Sequence, residues 1–260
     1  MKLQLDPQLA MGYRSASQVA RRVTERWAEE NLYCVACSSS RLTAAAANTA
    51  VLDFRCPRCE VAYQLKAKNG RFGGVVTNSA YAVKIAAIDA GRVPNYVFLG
   101  YSKLDWLVHD LFVVPGHFIS RAAVVARKPL KPSAKRAGWI GSNILLHALP
   151  PEGRLALVSG GVSLSPTRVR RRWSQFNFLR EDARAGGGWA ADVLACVREV
   201  ERTRGPEFLL GEFYKAYEGR LAALHPGNHH VQPKIRQQLQ VLRDGGVLTF
   251  IGNGRYRIIG

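Results

Sequence analysis

The sequence predicts an α/β protein in which a mixed β-sheet carries helices on its faces and a smaller helical region follows. Three observations lead to this prediction. Residues 50–55 and 61–68 alternate polar and apolar side chains and are rich in β-forming residues, as expected for two strands of a hairpin. Residues 14–31 repeat apolar side chains at helical spacing. Gly186-Gly187-Gly188 is typical of a linker, and helical patterns continue beyond it.

The remaining elements follow from the same periodicities. Further helices are predicted at 79–90, 189–202, 206–224 and 233–244, further strands at 96–101 and 107–114, and a terminal hairpin at 247–251 and 255–259. A helix, a turn, a basic helix and a hairpin in succession are typical of a winged helix-turn-helix. We therefore expect two domains, residues 1–182 and 183–260.

The composition indicates a polyanionic partner. The chain has 260 residues, and 37 Lys and Arg face 19 Asp and Glu, which gives a formal net charge of +18. Such an excess favours nucleic acid. No apolar run approaches the roughly 20 residues of a spanning helix, so a membrane partner is not expected. The first residues lack the apolar core of a signal peptide, and we expect a cytoplasmic protein with reduced thiols.

Four cysteines have the spacing of zinc ligands. Cys34 and Cys37 form one C-x2-C pair, and Cys56 and Cys59 form a second pair eighteen residues later. Four thiolates bind Zn²⁺ tetrahedrally and leave no position for water, so the predicted zinc site is structural. A redox dithiol is the competing interpretation, and the presence of two pairs disfavours it.

A second motif surrounds the second cysteine pair. Gln64 and Lys66 are two residues apart on a predicted strand and share one face, and Asp53 on the preceding strand can meet them across the hairpin. Asp53, the Gln64 amide oxygen and the Leu65 carbonyl are candidate Mg²⁺ ligands, with Mn²⁺ as an alternative ion. Lys66 is a candidate to orient or deprotonate water in phosphodiester hydrolysis. This motif alone occurs by chance in many proteins. Its position on a predicted hairpin, next to a cysteine pair and in a strongly basic chain, gives it weight.

Basic groups next to aromatic or polar side chains predict the DNA contacts. The predicted DNA-binding residues are Lys135, Arg136 and Trp139 in a basic loop, Lys234, Arg236, Gln237 and Gln240 on the helix 233–244, and Arg255 and Arg257 in the terminal hairpin. Arg168, Arg170, Arg171 and Arg172 form a second basic cluster beside Trp173, which is either a stacking residue or a core residue. Glu25, Glu29 and Glu30 either assist the metal site or, as the charge pattern favours, form a solvated face.

Taken together, the sequence resembles DpnI-type restriction endonucleases. The residues that carry this resemblance are Asp53, the four cysteines, Lys66, the blocks 127–130 and 136–141, and the helix segment 235–244. The resemblance covers nearly the whole chain. It implies a PD-(D/E)xK nuclease domain with a four-cysteine zinc site, followed by a winged helix.

The resemblance also implies an activity. Enzymes of this type use Mg²⁺ to cut G-A-T-C to blunt ends when the adenine carries an N6-methyl group, and both domains can recognise the methylated site. Asp53 and Lys66 match the catalytic residues, Trp139 matches a tryptophan implicated in sensing the methyl group, and the helix 233–244 matches the recognition helix. We expect a prokaryotic protein that acts on adenine-methylated double-stranded DNA and is a monomer in solution.

Gln64 departs from the family pattern, which has glutamate at this position. Mrr-like branches of the nuclease superfamily carry glutamine here, so the resemblance still implies an enzyme. A neutral amide binds Mg²⁺ less strongly than a carboxylate. The sequence therefore leaves two hypotheses: a methylation-dependent endonuclease, or a methyl-DNA reader or transcriptional regulator with a weak or inactive nuclease site.

Overall fold

The computed structural model describes residues 1–46 and 52–259. Within them the α-helices are α1 Ala16–Asn31, α2 Tyr81–Asp89, α3 Pro166–Ser174, α4 Phe178–Glu181, α5 Trp189–Arg204, α6 Leu210–Leu224 and α7 Val231–Asp244. The strands are β1 Thr43–Ala44, β2 Phe54–Arg55, β3 Ala62–Asn69, β4 Val75–Ala80, β5 Asn95–Tyr101, β6 Val108–Val114, β7 Val124–Ala126, β8 Gly141–Leu145, β9 Leu155–Ser159, β10 Val162–Ser163, β11 Glu207–Leu209, β12 Leu248–Gly252 and β13 Arg255–Ile258. Residues 50 and 51 of the predicted first hairpin strand lie outside the described residues.

The chain forms two compact units, and each contains more than one chain segment. Unit 1 comprises residues 1–73, 94–116 and 152–174, and unit 2 comprises residues 74–93, 117–151 and 175–260. The boundary that the sequence predicts between residues 182 and 183 stays a prediction.

Unit 1 is built on one mixed sheet. Among the described strands its order is β1-β2-β3-β5-β6-β9-β10, with β3 parallel to β5 and the other neighbours antiparallel. Helix α1 packs against β3 because Val23, Trp27 and Ala28 turn their apolar side chains into the core. The predicted hairpin is present, with Phe54 opposite Tyr63. The mixed α/β prediction is confirmed.

Unit 2 contains a winged helix-turn-helix and a second small sheet. The helices α5, α6 and α7 pack together, and β12 and β13 form the terminal hairpin, with β11 on its other edge in the order β11-β13-β12. The predicted winged helix is thus confirmed. The prediction of one helix over 206–224 was wrong at its start. Glu207, Phe208 and Leu209 form β11 instead, because β13 offers them backbone partners.

A second sheet of unit 2 was not predicted. Strand β4 pairs with β8, and β8 pairs with β7, so residues predicted as a basic loop contain an antiparallel hairpin. The triple glycine also packs against a neighbouring segment at its last residue. Gly188 has φ +79°, and a Cβ atom there would lie 3.2 Å from Ser120 Cα and Cβ. Its backbone therefore packs closely where α5 begins.

None of the helices in the described residues has the length and apolarity to cross a membrane. This agrees with the absence of a long apolar run in the sequence.

Candidate functional site

The four predicted zinc ligands lie together in unit 1. The Cys34 and Cys59 Sγ atoms are 3.6 Å apart, the Cys37 and Cys56 Sγ atoms are 3.5 Å apart, and all four lie within 4.8 Å of one another. Tetrahedral Zn–S bonds place sulfur atoms roughly 3.8 Å apart. The cluster therefore has the ligand type, the number and the spacing to hold Zn²⁺.

Backbone N–H groups around the cysteines prepare the sulfur atoms for a cation. The amides of Arg58 and Cys59 donate to Cys56 Sγ at 3.4 and 3.5 Å, and the Ser39 amide donates to Cys37 Sγ at 3.4 Å. Burial opposes ionisation of Cys56, but the amide donors outweigh it and lower the pKa of its thiol to about 6. A thiolate is the form that binds zinc.

Two side chains brace the first cysteine pair from other elements. Tyr63 on β3 places its hydroxyl 3.2 Å from Cys34 Sγ and accepts a hydrogen bond from the Val35 amide at 3.2 Å. Arg170 on α3 donates to the Cys34 carbonyl at 3.0 Å and to the Ser39 carbonyl at 2.9 Å. The Arg170 guanidinium therefore holds the cysteine loop, and a phosphate contact by the basic cluster that contains it stays a prediction. Trp173 is buried in the core, which confirms the core interpretation.

Asp53 and the strand β3 form the candidate catalytic site. The Leu65 amide donates to Asp53 Oδ2 at 2.7 Å, and the Asp53 amide donates to the Tyr63 carbonyl at 3.0 Å. Burial raises the pKa of the Asp53 carboxyl and the negative charge of Glu25 adds to this, whereas the Leu65 amide and the charges of Lys66 and Arg21 act in the opposite direction. The carboxylate is thus fixed to β3 with Oδ1 outside this hydrogen bond.

Lys66 and Gln64 flank Leu65, whose amide holds this carboxylate, along β3. Burial lowers the pKa of Lys66, although the charge of Asp53 opposes the change. The Gln64 Oε1 atom is buried and has no hydrogen-bond partner within the described part of the chain. A buried carbonyl oxygen without a donor is a costly arrangement that a cation relieves. Asp53, Gln64 and Leu65 thus have oxygen atoms suited to a hard divalent ion.

Glu25 is closer to the candidate site than its sequence pattern indicates. Its carboxylate accepts from Arg21 Nε at 2.8 Å on the surface of α1, and its charge contributes to the pKa of Asp53. Glu29 and Glu30 instead pair with Arg26, at 3.1 and 2.7 Å, on an exposed face. The favoured interpretation of a solvated face therefore fits Glu29 and Glu30 better than Glu25.

The predicted basic loop of unit 2 extends the β7–β8 hairpin. The Arg127 amide donates to the Gly141 carbonyl at 2.9 Å, and the Leu130 amide donates to the Trp139 carbonyl at 3.0 Å. The Arg136 guanidinium lies 4.7 Å from the Trp139 ring centroid. Lys135 and Arg136 are exposed and Trp139 is partly buried. The loop therefore presents two cations beside an aromatic ring on a hydrogen-bonded frame.

The predicted DNA-binding residues of the winged helix differ in whether they are exposed or already bonded within the protein. Arg236 is exposed on α7, and Gln240 lines the same open groove with Tyr214. Lys234 instead donates to the Arg184 carbonyl at 3.1 Å and to Gln237 Oε1 at 2.7 Å. In the terminal hairpin, Arg257 pairs with Glu207 at 2.9 Å, and Arg255 lies 3.9 Å from the same carboxylate.

Sequence reasoning missed the roles of Tyr63 and Arg170 at the cysteine cluster, whereas it had left open that Glu25 assists the metal site. Tyr63 had one signal, its position directly before Gln64 on the alternating strand. Arg170 had none, because 131 residues separate it from Ser39. Only the packing of α3 reveals its role.

The fold and the site define a class of DNA-binding protein that joins a mixed α/β unit with a four-cysteine cluster to a winged helix-turn-helix. The chain matches the Dam-replacing family over residues 1–182 and the Dam-replacing HTH domain over residues 186–258. The chain belongs to this family, the DpnI family. Membership supports a methylation-dependent restriction endonuclease, and the second matched region corresponds to the winged helix.

Proposed function

We propose that the protein is a type II restriction endonuclease that cleaves double-stranded DNA at G-A-T-C when the adenine carries an N6-methyl group. The observation that carries the proposal is the arrangement on β3, where the Leu65 amide holds Asp53 and the buried Gln64 Oε1 atom has no hydrogen-bond partner among the described residues. Lys66, with its lowered pKa, lies beside this arrangement. Family membership supports the methylation dependence.

The proposed cofactors are a structural Zn²⁺ on the four cysteines and a catalytic Mg²⁺, replaceable by Mn²⁺, held by Asp53, Gln64 and Leu65. When bound, Mg²⁺ supplies activation of water and neutralises negative charge on the phosphate. Asp53 fixes the site to β3. Lys66 orients the attacking water and takes up its proton, which its lowered pKa assists, and its positive charge stabilises the transition state.

The direct test compares plasmid DNA from adenine-methylating and non-methylating hosts, incubated with Mg²⁺ or Mn²⁺. We expect cleavage of the methylated plasmid alone, and no cleavage by Lys66→Ala. Lys68→Ala is a matched control, because Lys68 is an exposed lysine on the same strand. Equal cleavage of both plasmids, or cleavage of the unmethylated plasmid alone, would contradict the methylation dependence.

Gln64 favours a second candidate function, a methyl-DNA reader with a weak or inactive nuclease site. A neutral amide beside Asp53 gives the metal one carboxylate instead of two. Methyl-specific gel shifts without cleavage in any of several metals would support the reader. The variant Gln64→Glu distinguishes a weakened nuclease site from an inactive one. Increased cleavage by this variant would show that the amide limits metal binding. Cleavage by the unmodified chain that Lys66→Ala abolishes would exclude the reader.

A further inference from the structure

One buried residue, Tyr63, connects the four-cysteine cluster with the candidate catalytic site on β3. Tyr63 is fully buried, and its hydroxyl lies 3.2 Å from Cys34 Sγ. Its carbonyl accepts the amide of Asp53 at 3.0 Å. Its immediate neighbour on β3 is Gln64. A single side chain and its own peptide unit thus span from a candidate zinc ligand to two candidate catalytic residues.

The direction of the hydrogen bonds follows from what each group can donate. The Val35 amide has only a proton to give, so at 3.2 Å it donates to the Tyr63 oxygen. The hydroxyl proton of Tyr63 remains for Cys34 Sγ. A zinc-bound thiolate can only accept, so the geometry suits the zinc-loaded state. Hydrogen bonds of this outer shell fix the orientation of metal ligands.

The other end of Tyr63 is tied to the catalytic strand. Phe54 and Tyr63 are paired across β2 and β3, and the Asp53–Tyr63 backbone hydrogen bond continues that pairing. A displacement of Tyr63 therefore moves the backbone that holds Asp53 and the residue that follows on β3. A misplacement of about 1 Å at reacting groups can cost on the order of a hundredfold in rate.

We propose that Tyr63 is a positioning residue that couples occupancy of the four-cysteine zinc site to the placement of Asp53 and Gln64. This inference rests on the proposed nuclease function. It implies that the zinc site helps to position the residues on β3 that act in catalysis. Tyr63 acts through Cys34 on one side and through Asp53 on the other.

The test substitutes Tyr63→Phe, which removes the hydroxyl and keeps the ring. Tyr33→Phe is the matched control, because Tyr33 directly precedes Cys34 in the sequence and its hydroxyl is also buried but has no hydrogen-bond partner in residues 1–46 and 52–259. Zinc affinity is measured by competition with a chelator. We expect a loss of about 10- to 100-fold in Tyr63→Phe and no change in Tyr33→Phe. In the Co²⁺-substituted protein, the thiolate-to-cobalt absorption bands should shift only in Tyr63→Phe.

The coupling is tested with zinc saturating. Tyr63→Phe should lower kcat for methylated DNA by about tenfold or more and leave KM unchanged, and it should weaken the binding of Mn²⁺ to the catalytic site. Unchanged zinc affinity and cobalt spectrum would overturn the proposal. A zinc defect with unchanged kcat and Mn²⁺ affinity would overturn the coupling. If the unmodified chain does not cut methylated DNA, the proposed function fails, but zinc and Mn²⁺ affinities still decide whether Tyr63 couples the two sites.

Discussion

Gly141 makes room for the aromatic ring of the basic loop. A Cβ atom at residue 141 would lie 2.8 Å from Trp139 Cζ3 and 2.9 Å from Cη2, closer than side chains approach. The ring therefore lies directly against the backbone of Gly141, within 4.7 Å of the Arg136 guanidinium. The absence of a side chain at residue 141 therefore lets the Trp139 ring, which the family resemblance implicates in sensing the methyl group, lie in this orientation.

We predict that Gly141→Ala displaces Trp139 and reduces the preference for methylated over unmethylated duplex by about tenfold, since each such contact is worth on the order of 1–3 kcal/mol. Fluorescence anisotropy with both duplexes measures this preference. Gly73→Ala serves as the control, because no atom in the described part of the chain lies within 4 Å of a Cβ atom there. A Gly141→Ala protein with the original preference would show that the orientation of Trp139 does not matter for the methyl group.

His117 gives unit 2 a pH-dependent stability. Burial lowers the pKa of its imidazole from 6.5 to about 3, and the charge of Arg180 acts in the same direction. The unfolded chain therefore takes up a proton near pH 6.5, while the folded unit stays neutral at this residue. Its contribution to stability is complete above pH 6.5 and decreases as the pH falls towards 3.

We expect the free energy of unfolding to decrease by up to about 1.4 kcal/mol for each pH unit below 6.5 through this residue alone. Urea denaturation at a series of pH values measures it. In His117→Gln the part of the slope that His117 causes should vanish, even if the variant is less stable at pH 8. Parallel pH profiles for the two proteins would contradict the assignment.

At the scale of elements, the sequence pattern predicted those helices and strands whose stabilising partners lie nearby in the chain. The β2–β3 hairpin and α7 were predicted because alternation and helical periodicity reflect which faces are buried. Strand β4 was missed because its partner is remote, with Val75 opposite Leu145. Strand β11 was assigned to a helix because its partner strand lies far along the chain and leaves no local signal. Glu207 pairs with Arg257, fifty residues later.

The candidate site likewise has residues that their spacing predicts and contacts that depend on distant parts of the chain. Asp53, Gln64 and Lys66 could be predicted from their spacing across one hairpin, and the four cysteines from theirs. The Leu65 amide that holds Asp53, the hydroxyl of Tyr63 on Cys34 and the guanidinium of Arg170 could not. These contacts depend on side-chain directions and on the docking of α3, which no short pattern encodes.

Helix α7 provides the clearest test of DNA binding by an element. Arg236 is exposed on this helix, whereas Lys234 is held by the Arg184 carbonyl. We predict that Arg236→Ala weakens DNA binding and lowers the slope of log K against log salt by about one. Lys215→Ala, which removes an exposed cation from α6, is the control. Titrations at several salt concentrations measure the slope, and an unaltered slope would remove Arg236 from the contact surface.

At the scale of the whole molecule, the segment before the triple glycine packs with the winged helix. The Arg184 carbonyl accepts hydrogen bonds from Gln238 at 2.8 Å and Lys234 at 3.1 Å. The ring of Phe178 lies so close to Gly245 that a Cβ atom there would be 2.5 Å from it. Residues 178–185 therefore contribute to the stability of α7.

We predict that the fragment 175–260 is more stable than the fragment 186–260, by about 2 kcal/mol or more, because only the longer one keeps these hydrogen bonds and the contact of the partly buried Phe178 ring with Gly245. Urea denaturation of the two purified fragments measures the difference. Gly245→Ala in the longer fragment should abolish most of the advantage by displacing Phe178. Equal stability would place the start of the folded winged helix at residue 186.

The interleaving of the chain also bears on how such proteins diversify. Unit 2 is assembled from three separate stretches, 74–93, 117–151 and 175–260. A single genetic crossover near codon 186 would replace α5, α6, α7 and the terminal hairpin but leave the stretches 74–93 and 117–151 of the same unit unchanged. Exchange of the whole unit needs several crossovers at once. Changes in the recognised site are therefore expected to arise by point substitution within one lineage more readily than by the shuffling of intact modules.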